Sequence, residues 1–314
     1  MKLRFEGHDI EAPEGTSVLE SLESAGFAVD SSCRAGVCQS CLLQCTEGEV
    51  PRAAQAGLPK ALVAEGCFLA CICLPAMPMS IARAGSVRQR VDAVLRDRHW
   101  LSPTVIRLRF EPTAAFNCRP GQFLTLLMPD EDLARSYSIA ASNDGLLELH
   151  VRVLPDGKMS QRLAGDLPQD THFVLAGPAG SCYYESIDPH RPLVLAGTGT
   201  GLAPLWAILN DALDRGHHGP IRLYHGARDE AGFYLVDELR ALQARNPEFE
   251  YLPSTADLVD LVKASETALT DTEFFLCGDA GLVNKLKRTL YLAGAKLDRL
   301  HADPFVAAQA PARS

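Results

Sequence analysis

The sequence predicts a multidomain chain made of a small α+β domain, an antiparallel β-barrel and an α/β domain with a doubly wound parallel sheet. Its 314 residues suffice for two domains of ordinary size or three small ones. Seven of the ten cysteines fall within residues 33–73. Short β-rich runs fill the second third of the chain, whereas strands and helices alternate in the last third. We therefore expect domains at 1–84, 87–188 and 189–314.

The first domain is predicted to hold a β-hairpin, a helix and a cysteine-rich loop, an arrangement that resembles a β-grasp domain. The hairpin strands are expected at 2–6 and 10–12, and the helix at 16–25. Ser17, followed three residues later by Glu20, forms a capping box that would start this helix. Arginines become frequent after residue 82, and we place a linker at about 83–88.

The other two domains differ in the order of their elements. Between residues 87 and 188 the runs RQRVDAVLRDRH, TVIRLRFEP, GQFLTLLMP, RSYSIAAS, GLLELHVRVLP and THFVLAGPAG are separated by turns, which is typical of an antiparallel barrel. From residue 191 the strands PLVLAG, IRLYHG, FEYLPS and EFFLCG are interspersed with the helices APLWAILNDALDRG, YLVDELRALQARN and GLVNKLKRTLYLAG. This alternation predicts the doubly wound parallel sheet.

Charge and hydropathy exclude two classes of partner. The chain has 30 basic and 39 acidic side chains, a net charge of −9, and no basic block that could neutralise phosphates, so nucleic acid is not expected. Two uncharged stretches, 66–82 and 192–209, are interrupted by prolines or glycines, so no membrane span is predicted. The first residues have no apolar run typical of a secretory signal, and we expect a cytoplasmic location.

The cysteines near the N-terminus have the spacing of an iron–sulfur site. Cys33, Cys38 and Cys41 form C-x4-C-x2-C, and Cys71 follows after 29 intervening residues, which is the plant-type [2Fe–2S] spacing. Within this loop Gly36 can adopt a backbone conformation closed to larger residues. A structural zinc site of four thiolates is the alternative, although zinc loops favour C-x2-C pairs.

The fourth ligand has a competitor two residues away. Cys73 could replace Cys71, but the sequence FLACICLP resembles ferredoxin segments in which the ligand follows Leu-Ala. Cys45 and Cys67 are expected to be buried small side chains rather than ligands.

A motif in the barrel resembles the flavin signature of the ferredoxin–NADP reductase superfamily. It consists of Arg135-Ser136-Tyr137-Ser138, followed about twenty residues later by PDGKMS. An arginine offers two parallel donors to a pyrophosphate, a tyrosine ring can cover the flavin, and a helix that begins within 157–160 presents free N–H groups to phosphate. An amphipathic strand without a ligand is the alternative for these four residues.

The last domain carries a glycine-rich turn, LAGTGTGLAPL, between a strand and a helix, where a dinucleotide can approach the backbone. Together with FFLCGDAGLVNKL, it resembles the nicotinamide lobe of the same superfamily. For Cys277 a buried, inert thiol is the alternative to a place beside the nicotinamide.

The order of the three modules resembles the reductase components of bacterial Rieske-type aromatic-ring dioxygenases and of soluble diiron monooxygenases. The tail LHADPF also looks like the end of such reductases, where an aromatic residue covers the flavin; Phe305 matches it. Two positions depart from the family pattern, because Gln39 and Thr198 stand where glycine is usual.

The resemblance implies a set of site residues. Ser138 and Cys277 would flank the reacting atoms. The implied FAD and nicotinamide contacts are Arg135, Ser136, Tyr137, Ser138, His150, Val151, Arg152, Gly157, Lys158, Met159, Ser160, Gly199, Thr200, Gly201, Pro204, Arg228, Cys277, Gly278, Asp279 and Phe305.

The resemblance further implies an NAD(P)H-dependent reductase that passes electrons through FAD and a [2Fe–2S] cluster to a terminal oxygenase, an aromatic-ring-hydroxylating dioxygenase. The alternatives are the same relay serving a diiron monooxygenase or a deoxysugar dehydratase, and a non-catalytic redox sensor. NADH is expected rather than NADPH, because Arg228 is followed at once by Asp229 and Glu230.

Overall fold

The computed structural model describes residues 1–84, 89–131, 133–168, 171–185 and 188–306. Within them, three sheets follow one another along the chain: a mixed sheet, a closed barrel and a second open sheet. This succession confirms the predicted fold class.

The N-terminal sheet has the strand order β2-β1-β5-β3-β4. Strands β1 and β5 are parallel, and the other neighbours are antiparallel. Its elements are β1 (Lys2–Phe5), β2 (His8–Glu11), α1 (Val18–Ser24), β3 (Leu42–Glu47), α2 (Lys60–Ala64), β4 (Cys67–Leu69) and β5 (Met79–Arg83).

Helix α1 begins at Val18, two residues after the predicted start, and the predicted capping box is present. The Ser17 hydroxyl accepts a hydrogen bond from the Glu20 N–H at 3.2 Å, and the Glu20 carboxylate accepts one from the Ser17 N–H at 3.0 Å. This is the predicted capping box. The helix buries Val18, Leu19 and Leu22 in the core of the first domain. This packing anchors the N-terminal end of the loop that carries three of the cysteines.

The predicted linker is only partly visible. Strand β5 continues through Arg83, whose guanidinium bonds to Glu6, so the linker begins after this residue and not at it. Residues 85–88 lie outside the described residues. The next strand begins at Gln89.

The middle of the chain forms a closed six-stranded barrel in the order β10-β7-β6-β11-β8-β9. All of its neighbouring strands are antiparallel, as predicted. Its elements are β6 (Gln89–Ser102), β7 (Val105–Pro112), β8 (Phe123–Met128), β9 (Leu133–Asn143), β10 (Leu146–Arg152), α3 (Lys158–Ala164) and β11 (Phe173–Ala179).

The last sheet is parallel throughout and has the order β14-β13-β12-β15-β16. Helices α4 and α5 cover one face, and α6 and α7 cover the other. Its elements are β12 (Leu193–Thr198), α4 (Leu202–Asp214), β13 (Ile221–Gly226), α5 (Val236–Arg245), β14 (Phe249–Ser254), α6 (Leu258–Ser265), β15 (Glu273–Asp279), α7 (Ala280–Leu292) and β16 (Leu300–Phe305).

Two elements of this sheet were not predicted. Helix α6 is a short helix whose start is capped by the Asp257 carboxylate, which accepts hydrogen bonds from the N–H groups of Val259 and Asp260. Strand β16 contains Asp303 and Pro304, residue types that disfavour strands, and it forms at the edge of the sheet where proline is tolerated.

Helix α4 packs against barrel strand β9, so the second and third domains share an interface. Among the described residues, no helix is both long enough and apolar enough to cross a membrane.

Candidate cofactor sites

The four predicted cluster ligands lie in two pairs. In the first pair, the Cys33 N–H donates to the Cys38 sulfur and the Cys38 N–H donates to the Cys33 sulfur, both at 3.3 Å. In the second, the Cys71 N–H donates to the Cys41 sulfur at 3.4 Å. A cluster of two irons with four cysteines takes two thiolates on each iron, and the pairs fit that arrangement.

The surroundings of the sulfurs also suit thiolates. Within each pair the shared hydrogen bond lowers the pKa of one thiol, Cys38 or Cys71, and raises the pKa of its partner, Cys33 or Cys41. The Ala35 N–H donates to the Cys33 sulfur at 3.4 Å. The N–H donors favour the deprotonated form that binds iron, and the lowered pKa does the same for Cys38 and Cys71.

The loop conformation depends on residues with left-handed backbone angles. Gly36 has φ +74°, and a Cβ built there would lie 2.6 Å from Cδ1 of Ile72. Gln39, where the family has glycine, also has a positive φ of 56°, and its side-chain amide donates to the Gly57 carbonyl at 3.4 Å. The family preference for glycine at this position therefore has a backbone cause, and Gln39 adopts the same conformation under strain.

Cys71 and Cys73 have different surroundings. Cys71 lies beside Cys41, whereas Cys73 is fully buried in the core of the first domain, where burial raises its pKa to about 12. This geometry supports Cys71 as the fourth ligand. Within the described residues, no three His, Cys, Asp or Glu side chains are arranged to hold a single metal ion.

The RSYS motif lies on barrel strand β9, and its side chains alternate between two sides of the strand. Burial raises the pKa of the half-buried Tyr137. The Ser136 hydroxyl lies 3.2 Å from the hydroxyl of Thr125 on the neighbouring strand. The guanidinium of Arg135 donates only to the carbonyl of its neighbour Ala134 among the described contacts, so it retains donors for an anion.

Ser138 meets a residue from the other end of the chain. Its hydroxyl donates to Oδ2 of Asp303 on β16 at 3.2 Å. Both side chains are buried, and burial raises the pKa of Asp303 to about 6. The strand register places Asp303 next to Cys277 on β15. We call Ser138, Cys277 and Asp303 the domain junction, because they join the barrel to the parallel sheet.

Cys277 is fully buried, with its sulfur 3.6 Å from that of Cys182. Burial, followed by the neighbouring Cys182, raises the pKa of Cys277 well above its usual value. The thiol is therefore protonated at neutral pH and suited to packing and positioning rather than to attack as a nucleophile.

Strand β10 carries three implied contacts with different orientations. The His150 ring is buried between the Glu148 carboxylate at 3.0 Å and the Tyr234 hydroxyl at 3.4 Å. Val151 lies in the barrel core, whereas Arg152 is exposed and its guanidinium lies 3.7 Å from the Cβ position of Gly199. Of the three, only Arg152 has a side chain that faces the glycine-rich turn.

The PDGKMS segment forms a turn that starts α3. The Ser160 hydroxyl donates to the Gly157 carbonyl at 3.1 Å and accepts from the Leu154 N–H at 3.1 Å. Met159 is buried in the barrel core and Lys158 is exposed. No side chain caps the helix start, so its first N–H groups remain available as donors. Ser160 shapes the turn, and the backbone offers the donors.

The glycine-rich turn combines close packing with an open approach. A Cβ on Gly201 would lie 2.4 Å from the Cys277 carbonyl oxygen, so this glycine is required by contact with β15. Gly199 has φ +54° and only the Arg152 guanidinium nearby. Thr200 is half-buried, and Pro204 is buried in the first turn of α4, where no helical hydrogen bond is lost.

Thr198 is accommodated by two glycines. Cβ atoms at Gly226 and Gly278 would lie 2.8 Å from its Cγ2 and 2.9 Å from its carbonyl oxygen, respectively. The departure from the family pattern is thus matched by its neighbours.

The Asp279 carboxylate accepts a hydrogen bond from the Leu282 N–H at 3.0 Å and caps α7. Asp279 therefore has a structural role in addition to its predicted contact with a cofactor.

Arg228, in the turn after β13, is exposed. The Asp229 carboxylate accepts a hydrogen bond from the Gly232 N–H at 3.1 Å within its own turn.

Phe305 lies two residues beyond Asp303 on β16, hence on the same side of that strand.

The sequence did not point to Asp303, Glu148 or Tyr234 as neighbours of the predicted site residues, or to Thr125 as a contact between domains. Asp303 stands in the tail motif, two residues before Phe305, and a strand period of two would have related them. The other three carry no local signal, because their partners are distant along the chain.

Three protein-family models match this chain in succession. They are the 2Fe-2S iron-sulfur cluster binding domain at residues 3–76, the oxidoreductase FAD-binding domain at 92–184 and the oxidoreductase NAD-binding domain at 195–288. Together they assign one cofactor class to each of the three sheets.

Relatives that match most of this chain are reductase components. The reductase subunit of an aromatic O-demethylase from an Amycolatopsis species is 32% identical over 81% of this chain and 80% of that protein. The ferredoxin–NAD(P)(+) reductase component of the Pseudomonas putida naphthalene 1,2-dioxygenase system is 27% identical over 93% and 94% of the two chains. The crystal structure of an Amycolatopsis cytochrome P450 reductase superposes with a TM-score of 0.70 at 25% identity, covering 97% of this chain and 98% of that one.

The chain therefore belongs to the family of reductase components that join a [2Fe–2S] domain to an FAD-binding and an NAD-binding domain, and it is an oxidoreductase whose domains form an electron relay from NAD(P)H.

Proposed function

We propose that this reductase delivers electrons from NADH to a terminal oxygenase, an aromatic-ring-hydroxylating dioxygenase. The observation that carries the proposal is that two adjacent barrel strands, β9 and β8, each contact one of the neighbouring domains. Ser138 on β9 bonds to Asp303 of the parallel sheet, and β8 places Thr125 2.9 Å from Ser40 in the cluster loop. One barrel thus connects the nicotinamide lobe to the cluster.

The proposed domain boundaries are 1–84, 87–188 and 189–314. The cluster ligands are Cys33, Cys38, Cys41 and Cys71, as their pairing supports. For FAD, Arg135 and the first N–H groups of α3 would bind the pyrophosphate, and Tyr137 and Phe305 would cover the ring.

When bound, FAD accepts a hydride from the nicotinamide, and the cluster carries the electrons singly. The protein's part is to orient and to exclude water. At the domain junction, Ser138, Cys277 and Asp303 are each less than a tenth exposed. The Ser138 hydroxyl proton is held toward Oδ2 of Asp303, which leaves the oxygen lone pairs of Ser138 available to a bound group. The buried side chain of Cys277 packs against its neighbours and excludes water.

The preference for NADH rests on the turn after β13. Arg228 is the cation of this turn, and Glu230 is an exposed carboxylate two residues away. Asp229 is engaged with its own turn, so its side chain is fixed. One cation beside two carboxylates disfavours a dianionic 2′-phosphate. Comparing kcat/KM for the two cofactors tests this, and a tenfold preference for NADPH would contradict it.

The acceptor is assigned by analogy with relatives that serve dioxygenase and monooxygenase systems. The first 84 residues hold 6 basic and 10 acidic side chains, which favours a partner with a basic docking patch. A diiron monooxygenase or a deoxysugar dehydratase would use the same relay. A non-catalytic redox sensor would bind the cofactors without sustained turnover.

The test is reconstitution of the full chain under anaerobic conditions, followed by analysis of iron, sulfide and flavin. We expect one [2Fe–2S] cluster and one FAD per chain and steady NADH-dependent reduction of cytochrome c. Copurification with an aromatic-ring dioxygenase would identify the acceptor. Zinc in place of iron, or no turnover by the loaded protein, would contradict the proposal.

A further inference from the structure

A buried pair of hydroxyl groups joins the first domain to the barrel. Oγ of Ser40, in the cluster loop, lies 2.9 Å from Oγ1 of Thr125 on strand β8. The two residues are 6% and 1% exposed. They are 85 positions apart in sequence, so this contact exists only because the two domains are docked.

The contact continues on both sides. On the cluster side, Ser40 Oγ lies 3.2 Å from the sulfur of Cys38. On the barrel side, Thr125 Oγ1 lies 3.2 Å from Oγ of Ser136, its cross-strand partner in the RSYS motif. We call Cys38, Ser40, Thr125 and Ser136 the hydroxyl chain. Three hydrogen bonds thus connect a proposed iron ligand to the proposed flavin motif.

The chemistry of the end group sets the direction of every proton in the hydroxyl chain. A thiolate that binds iron can only accept, so Ser40 donates to Cys38. Ser40 has one proton and must then accept from Thr125, and by the same reasoning Thr125 accepts from Ser136. All three hydroxyl protons point toward the cluster, which stabilises negative charge on its sulfur.

The hydroxyl chain also explains how the docked position is selected. A hydroxyl buried without a partner is destabilising, so Ser40 and Thr125 disfavour any other register of the two surfaces. A second polar contact between these domains, Arg90 with Asp30, joins two half-exposed side chains and is weak by comparison.

We infer that the hydroxyl chain docks the cluster loop on the barrel and forms the route by which electrons reach the cluster from the flavin. The inference rests on the proposed function. In each transfer the reduced flavin loses one electron and one ferric iron becomes ferrous, and no bond within the hydroxyl chain breaks. Thr125 is a positioning residue, since it acts through Ser40 and Ser136.

The experiment compares Thr125→Val, which keeps the shape and removes the hydroxyl, with Thr125→Ser, which keeps the hydroxyl. Both are made in the full chain loaded with FAD and cluster. Anaerobic stopped-flow mixing with NADH follows flavin bleaching first and cluster bleaching second. We expect T125V to bleach flavin at the wild-type rate and to reduce its cluster about tenfold more slowly, since one buried hydrogen bond shifts the docking equilibrium by about that factor. T125S should restore the rate.

A second readout does not depend on turnover. The EPR spectrum and reduction potential of the cluster, measured after chemical reduction with dithionite, report on the hydrogen bond to Cys38. We expect T125V to shift the g-values and lower the potential, and T125S to match the wild type. Ser40→Ala removes the same contact from the other side, and the S40A/T125V double variant should be no slower than the slower single variant.

The outcomes are distinguishable. A T125V protein with wild-type cluster reduction and an unchanged EPR spectrum would overturn the inference, and so would loss of FAD from T125V, which would place Thr125 in the flavin site. If S40A and T125V slow the transfer independently, they do not act in one chain. A wild-type protein whose cluster NADH cannot reduce would overturn the proposed function, and the inference with it.

Discussion

The cluster loop and the domain junction are built in opposite ways. Three of the four proposed cluster ligands lie within residues 33–41, and the fourth follows in the same domain. The junction takes Ser138 from the barrel and Cys277 and Asp303 from two strands of the parallel sheet. A locally encoded site depends on loop conformation, whereas a site assembled from distant strands depends on the docking of domains. Damage to one should therefore leave the other working.

The two regions also differ in what lowers their folding stability. In the cluster loop, Arg34 and Gln39 have left-handed backbone angles, so the cost is conformational. At the junction the backbone is regular strand, and the cost is the burial of a carboxyl, a hydroxyl and a thiol. Substitutions that relieve the backbone strain should raise the stability of the first domain. Substitutions at the buried carboxyl of the junction should change how stability depends on pH.

The largest expected effect is loss of the cluster with no change at the domain junction. Cys71→Ser should abolish the native cluster EPR signal and its iron content, because one of two paired thiolates is lost. FAD content and NADH-dependent ferricyanide reduction should remain, since the junction is unchanged. Cys73→Ser is the matched control, and it should keep the cluster. The reverse pattern would show that Cys73 is the ligand.

The next effect is a change in pH dependence at the junction. The pKa of Asp303 is raised from 3.8 to about 6, so the folded protein keeps a proton that the unfolded chain releases in this window. Stability therefore falls as pH rises from about 4 to 6, by roughly 3 kcal/mol from this group. Asp303→Asn should remove that part of the decline and be more stable than wild type above pH 6.

Chemical denaturation across this pH range measures the difference. Asp298→Asn, at an exposed carboxylate nearby, should keep the wild-type slope. Equal slopes for D303N and wild type would show that Asp303 does not titrate in this window.

A smaller effect tests whether Cys277 orients the nicotinamide. Cys277→Ala should leave the flavin and cluster absorbance unchanged and slow flavin reduction by NADH about 10- to 100-fold, because near-attack geometry is lost. Cys182→Ala removes the adjacent sulfur, 3.6 Å away, and should bleach flavin near the wild-type rate. Stopped-flow reduction distinguishes them. Equal slowing in both variants would mean that Cys277 is only a packing residue.

The smallest effect concerns the cluster loop alone. Gln39→Gly should stabilise the first domain by about 1 kcal/mol, because glycine adopts a positive φ without the cost that other residues incur. Arg34→Gly relieves a similar angle but loses the bond between Arg34 and Glu23, so it should gain less. Denaturant midpoints compare the two. A destabilised Q39G would show that the bond to Gly57 outweighs the strain.

Much of the fold followed from patterns with short range. The capping box at Ser17, the six β-rich runs of the barrel and the alternation of strands and helices after residue 191 each concern neighbours in sequence, and each is present in the structure. Strand β16 was missed because Asp303 and Pro304 oppose strand propensity, and only pairing with β15 overrides it.

The site residues follow the same rule: patterns between sequence neighbours were predictable, and contacts between distant residues were not. The spacing of Cys33, Cys38 and Cys41 is visible in one loop. The surroundings of the His150 side chain, by contrast, were not visible in the sequence: it is enclosed by Glu148 and by Tyr234, a residue of another domain, and its contact with a cofactor stays a prediction. A single strand segment cannot show which of its faces a distant domain will cover.

The sequence by itself determined the three-module order, the acidic balance, the cysteine spacing and the glycine-rich turn, because all of these are properties of composition or of adjacent residues. Tertiary structure alone decided that Cys73 is buried in the core of the first domain, that Asp303 reaches Ser138, and that Ser40 meets Thr125. These contacts depend on the packing of whole sheets against one another, and their energies arise from burial, which no local pattern of residues contains.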